Sequence, residues 1–162
     1  MPITYEPIAT TTLGSAAATV SFTSISGSYT DLVLVAWGAS TGGSDIFCQF
    51  NGDTGSNYSW TRLSGNGSTA ASSRSSSASN IRLTISGYPD ANAALVLASI
   101  QNYSNTTTYK TLISRANQAT QGVDAIVGLW RSTSAITSID VKSTPNTFNT
   151  GSTFTLYGIK SA

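Results

Sequence analysis

Apolar residues in this chain recur at every second position over short stretches, set apart by clusters of Gly, Asn, Ser and Thr, and helical spacing is sustained nowhere. Successive side chains of a strand point to opposite faces, so the rhythm is that of strands with one buried face. In Ile81-Arg82-Leu83-Thr84-Ile85-Ser86 the aliphatic residues share one face and the polar ones the other; Ile139-Asp140-Val141-Lys142 repeats the alternation. Two further runs, Leu32–Trp37 (LVLVAW) and Ala94–Ala98 (ALVLA), are apolar on both faces. Such runs suit central strands covered on two sides. In a two-sheet sandwich one side is the core, and the other needs a cover, either an overlying loop or a neighbouring subunit.

The pattern predicts strands near residues 3–8, 18–25, 30–38, 44–51, 57–63, 80–86, 93–102, 108–116, 123–131, 136–142 and 153–160. Turn signals such as Ser26-Gly27-Ser28, Thr41-Gly42-Gly43 and Pro89-Asp90-Ala91-Asn92 punctuate them. The spacing implies an all-β fold, an antiparallel β-sandwich that is jelly-roll-like, with an immunoglobulin-like sandwich as the nearest rival. A chain of 162 residues fits one such domain over 1–162, able to bury roughly 70% of its unfolded surface. Residues 65–79 are Gly, Ser, Thr, Ala and Asn with one arginine. They are too polar and too small in side chains to pack as a unit, and read as a flexible loop or an arm that orders on a neighbour.

Charged residues make up only 9% of the chain, eight basic against seven acidic. No charge excess exists to hold a phosphate backbone or an anionic bilayer. Nucleic acid and membrane are therefore not expected partners, and no run of about 18 apolar residues suggests a membrane helix. The first residues lack a positive segment followed by an apolar core, so no secretory signal is expected. With so little charge, solubility rests on Ser, Thr, Asn and Gly, an unusual surface for a free domain. It points to a protein that packs against others.

Histidine is absent, which removes the usual general base and the commonest metal ligand together. Triads built on Ser-His or Cys-His are excluded. The carboxylates Glu6, Asp31, Asp45, Asp53, Asp90, Asp124 and Asp140 are scattered, mostly near strand ends and turns, where Asp commonly bonds to backbone. No catalytic residue, cofactor or metal is expected. Asn51–Asn57 (NGDTGSN) has the alternating oxygen side chains of a calcium loop, but Arg62 stands where the closing bidentate Glu belongs, so it reads as a plain turn. Cys48, within the apolar run Ile46–Phe50, reads as a small core hydrophobe. Most aromatic residues should be core. Tyr58 and Trp60 share a strand face with Arg62, an aromatic and arginine mixture typical of interfaces, and this triplet is the candidate contact site.

Tyr5–Gly14 (YEPIATTTLG), Tyr29–Val35 (YTDLVLV), Phe50–Tyr58 (FNGDTGSNY), Ile100–Lys110 (IQNYSNTTTYK), Gly128–Arg131 (GLWR) and Gly151–Lys160 (GSTFTLYGIK) resemble a group of short structural proteins of tailed bacteriophages. The resemblance spans nearly the whole chain and implies a virion component; it transfers no catalytic motif and gives no position on the particle. Phage decoration, or cement, proteins are commonly small β-rich trimers on the capsid, and a chain without a fibrous stalk is similar to them. That similarity, together with the low charge and the doubly apolar strands, makes a capsid decoration protein on the virion surface the first expectation, a homotrimer bound to the major capsid protein or other virion proteins. A tail-fibre or head-fibre module that recognises host glycans through exposed aromatics is the alternative. A depolymerase, the third reading, would need carboxylates converging in a groove.

Overall fold

Even-numbered residues of Lys110–Gln118 and Gly122–Trp130 turn inward and odd-numbered ones outward, so the alternation read in the sequence is a physical division between core and surface. The computed structural model describes residues 4–84 and 87–160. It contains strands β1 (Tyr5–Thr12), β2 (Thr19–Phe22), β3 (Asp31–Gly38), β4 (Asp45–Phe50), β5 (Tyr58–Gly65), β6 (Ala70–Ala78), β7 (Ile81–Arg82), β8 (Ala94–Gln101), β9 (Lys110–Gln118), β10 (Gly122–Trp130), β11 (Ile139–Thr144) and β12 (Thr153–Ile159). No helix is present among the described residues.

The strands form two antiparallel sheets, an eight-stranded one ordered β1-β12-β3-β8-β9-β10-β5-β6 and a four-stranded one ordered β2-β11-β4-β7. From β1 to β4 the chain crosses between the sheets at every step, and it does so again across β7, β8, β11 and β12. Those eight strands, β1-β12-β3-β8 facing β2-β11-β4-β7, are a jelly roll. The hairpins β5–β6 and β9–β10 are inserted into this frame and double the width of one sheet. The fold is therefore the β-sandwich that the strand spacing implies.

Each expected strand is present, although β7 is cut to Ile81–Arg82. Its expected continuation through Ile85 and Ser86, and the expected start of the first strand at residue 3, lie outside the described residues. The flexible loop expected at 65–79 is corrected: Ala70–Ala78 is strand β6, laid against β5 with Arg62 opposite Ser73. Two causes can be named. Asn66 Oδ1 accepts the Ser68 and Thr69 amides at 3.0 and 2.8 Å, which closes the hairpin turn. An edge strand also takes its hydrogen bonds from its neighbour's backbone, so low hydrophobicity does not forbid it.

Between the sheets lie Leu34, Val96 and Ile126 from the large sheet and Ile46, Cys48 and Phe50 from the small one, all buried. Each such large aliphatic or aromatic side chain contributes roughly 1.5–3 kcal/mol by leaving water. Cys48 is a core residue, as expected, and burial pushes its thiol well above the ordinary range. Gly128 on β10 lets Ile81 of the opposite sheet pack onto bare backbone, for a Cβ there would lie 2.6 Å from Ile81 Cγ2.

Candidate interaction face

The same parity that buries one side of the large sheet leaves its other side without a second sheet. Register places Trp37, Leu95, Asn117 and Val123 in one cross-strand row, and Val35, Leu97, Arg115, Ala125 and Leu63 in the next. A third row holds Val33, Ser99, Ile113, Val127 and Thr61. Several of these large apolar side chains stand in solvent: Leu63 is 61% exposed, Val123 59%, Val127 56%, Trp37 53% and Ile113 51%. Among the described residues, the remaining exposed large hydrophobics, Tyr5, Leu95 and Tyr109, lie on this side or at its margin. Isolated exposed hydrophobics are ordinary, but a contiguous set on one face marks an interaction surface.

The opposite side of the sandwich differs. On the outer face of the small sheet Ser21 donates to Asp140 at 2.6 Å, Lys142 donates to Gln49, and Arg82 pairs with Asp45. Those charges have partners within the chain. The large sheet's outer face carries two cations, Arg115 and Arg74, and among the described residues no hydrogen bond or ion pair engages either. Eight strands at about 4.8 Å spacing and seven residues at about 3.4 Å give this face an area of about 700 Å². Stable interfaces bury about 600–1,000 Å² on each partner, and the face falls within that range.

The triplet Tyr58, Trp60 and Arg62 does share a strand face, but it is the inward one, which corrects the expectation of a contact site there. Tyr58 and Arg62 are buried and Trp60 is half-buried. The Tyr58 hydroxyl accepts the Phe50 amide at 3.0 Å and lies 3.1 Å from the Asp53 carbonyl, so its polar end is satisfied inside the fold. Desolvation there holds its phenol well above the ordinary value. The Trp60 ring lies 5.9 Å from the Arg82 guanidinium. Even residues of β5 face the core, so the outward set is Ser59, Thr61 and Leu63. The sequence marks Leu32–Trp37 and Ala94–Ala98 as needing a second cover, but not Leu63, Ile113, Val123 or Val127. Their signal is a strand apolar at both parities, as in Val123-Asp124-Ala125-Ile126-Val127, where Ile126 is core and both valines are surface.

The carboxylates are engaged by donors of the chain itself. Asp53 accepts from Trp130 Nε1, Gly55 N and Asn57, and the indole bond is the main cause that lowers its pKa. Asp90 accepts from the Asn92 amide, Gln118 and Gln121, which lower its pKa in the same way. Tyr88 donates to the buried Asp124. A recess of about 230 Å³ between the hairpin ends is walled by residues such as Ser64, Asn66, Thr69 and Gln121, with no charged side chain among its lining groups. Among the described residues no group of three metal-ligating side chains comes together. The fold and the face define an antiparallel jelly-roll sandwich with one uncovered apolar sheet face. No protein-family model and no curated protein matches the chain.

Proposed function

We propose that this chain is a non-enzymatic structural protein of a tailed-bacteriophage virion, a decoration protein that seats the outer face of its eight-stranded sheet on the shell. The observation that supports this most is the division of the surface. Five residues more than half exposed, Trp37, Leu63, Ile113, Val123 and Val127, share one face, while the paired charges Arg82, Asp45, Asp140 and Lys142 are on the other sheet. A face of that size and composition loses unfavourable contact with water when a partner covers it. A partner bound only to the assembled shell shifts the equilibrium toward that shell by mass action.

Particles stripped of this protein should release DNA at a lower temperature than complete ones, and adding back the purified protein should restore the higher temperature. A Leu63→Lys/Val127→Lys protein should fail to restore it, whereas Lys142→Ser, on the far sheet, should restore it fully. Unchanged DNA release from stripped particles, or equal rescue by all three proteins, would rule the proposal out.

A further inference from the structure

Resting on the reading of the outer face as a docking surface, we infer that the surface it meets is an apolar protein surface carrying carboxylates opposite Arg115 and Arg74. Arg115 stands on β9, the fifth of eight strands, with Leu97 and Ala125 as its cross-strand neighbours. It is interior to the face, not on its rim. A partner that covers those neighbours also takes the guanidinium out of water. An arginine cannot shed its proton to escape that environment, so burial without an anion is strongly unfavourable.

The same charges argue against a second copy seated face to face. Such a copy would bring two more arginines to the same rows, and among the described residues no carboxylate stands in those rows. Asp45 is paired with Arg82 and Asp140 with Ser21 on the far sheet, and Glu6 is paired with Lys160. Asp53, Asp90 and Asp124 are held by their own donors. Asp31, at the start of β3 and at the margin of this side, accepts the Asn102 amide at 2.7 Å. Carboxylates seated opposite Arg115 and Arg74 therefore belong to a different protein, with Asp31 left at the margin.

Sheet geometry sets the spacing that this protein must match. Arg74 is opposite Thr61 on β6, three strands from β9 and one row from Arg115. At ordinary strand spacing and rise, the two Cα atoms are about 16 Å apart. Guanidinium forks favour carboxylates that accept two parallel bonds, which lets such a pair fix orientation as well as add affinity.

Two dyes test the chemistry on the purified protein, and stripped particles test it in place. Anilinonaphthalene sulfonate joins an apolar ring system to an anion, whereas Nile red is apolar and uncharged. Arg115→Met should weaken the sulfonate dye roughly two- to five-fold while leaving Nile red binding and the thermal midpoint unchanged. On stripped particles Arg115→Met should rebind roughly 30-fold or more weakly, and Arg115→Lys should recover part of that loss. Normal rebinding by Leu63→Ser/Val127→Ser would remove the docking reading and this inference with it. Failure of that pair together with normal rebinding by Arg115→Met would leave the docking reading standing and overturn the charge pairing. Unchanged affinity of Arg115→Met for the sulfonate dye would overturn it as well.

Discussion

Trp130 donates its indole Nε1–H to the Asp53 carboxylate at 2.7 Å, and this contact ties the end of β10 to the turn between β4 and β5. The indole is buried and stacks on Tyr58 with ring centroids 6.2 Å apart, while Phe50 lies 5.6 Å from it. Asp53 also accepts Gly55 N at 2.8 Å and Asn57 Nδ2 at 2.9 Å. The segment whose spacing is that of a calcium loop therefore directs its carboxylate to donors of its own chain. Its work is to join one inserted hairpin to the jelly-roll frame.

Removing that carboxylate should be costly. Asp53→Ala leaves a buried indole N–H without an acceptor, and unfolding free energy should fall by about 1–3 kcal/mol. Asp53→Asn, which keeps one acceptor oxygen, should lose less. The Trp130 bond holds the Asp53 carboxyl below its ordinary pKa. A depressed folded pKa contributes stability that is present above the unfolded value and lost as pH falls through the folded one. Urea denaturation across the acid range should show a shallower acid limb in Asp53→Asn than in the unaltered protein.

Gly128 gives a second test of how the inserted strands meet the frame. A Cβ at this position would sit 2.6 Å from Ile81 Cγ2 and 2.8 Å from Cδ1, and Ile81 is fully buried with little room to retreat. Gly128→Ala should destabilise by about 1–3 kcal/mol through overpacking. Ile81→Val alone should cost about 0.5–1.5 kcal/mol. Combined, the two should cost less than their sum, because the smaller side chain makes room for the new methyl. A double-mutant cycle from thermal unfolding measures that coupling, and strict additivity would mean the two do not press on each other.

The strands themselves were legible because their period survives in the residues: Ile139 and Val141 are buried while Asp140 and Lys142 are not. β6 was not legible. Its Ala and Ser side chains bury little, and what holds it is the β5 backbone, which no side-chain pattern records. The contact triplet failed for a related reason. Sequence shows that Tyr58, Trp60 and Arg62 share a face, but strand parity alone does not say which face is covered. The uncovered side was visible in part, since Leu32–Trp37 and Ala94–Ala98 were read as strands in need of a second cover. Trp37 and Leu95 are indeed left exposed there.

Alkaline pH should weaken the fold. Burial holds the phenols of Tyr58, Tyr88 and Tyr103 above their ordinary value, with Asp124 adding to the effect at Tyr88. The buried Cys48 thiol is raised in the same way. A raised folded pKa means that the unfolded chain releases its proton first, so stability is complete below the ordinary thiol value of about 8.5 and declines as pH rises through it and through the phenol value of about 10. Lys110 acts in the opposite sense. Its buried ammonium, donating to the Thr108 and Thr133 carbonyls at 2.7 and 3.1 Å, has its pKa lowered by desolvation. The folded state gives up that proton early, which adds stability with rising pH over that window. Three phenols and the Cys48 thiol against the Lys110 amine should leave a net decline, and Tyr88→Phe should flatten it in chemical denaturation between pH 9 and pH 11, an interval set around the ordinary phenol value of about 10.

Adjacent residues of β10 should separate folding from assembly. Ile126 is 1% exposed and faces the small sheet, whereas Val127 is 56% exposed on the large sheet's outer face. Ile126→Ala removes buried methyl groups and leaves a cavity, so it should cost about 2–5 kcal/mol. Val127→Ser touches nothing that folding needs, and its stability should stay within about 0.5 kcal/mol of the unaltered protein. Particle binding should reverse that order once stability is matched by lowering the temperature: folded Ile126→Ala should bind normally, and Val127→Ser should bind weakly. A stability loss for Val127→Ser as large as that for Ile126→Ala would mean that the outer face is covered within the chain, and the apolar row would then be core rather than contact surface.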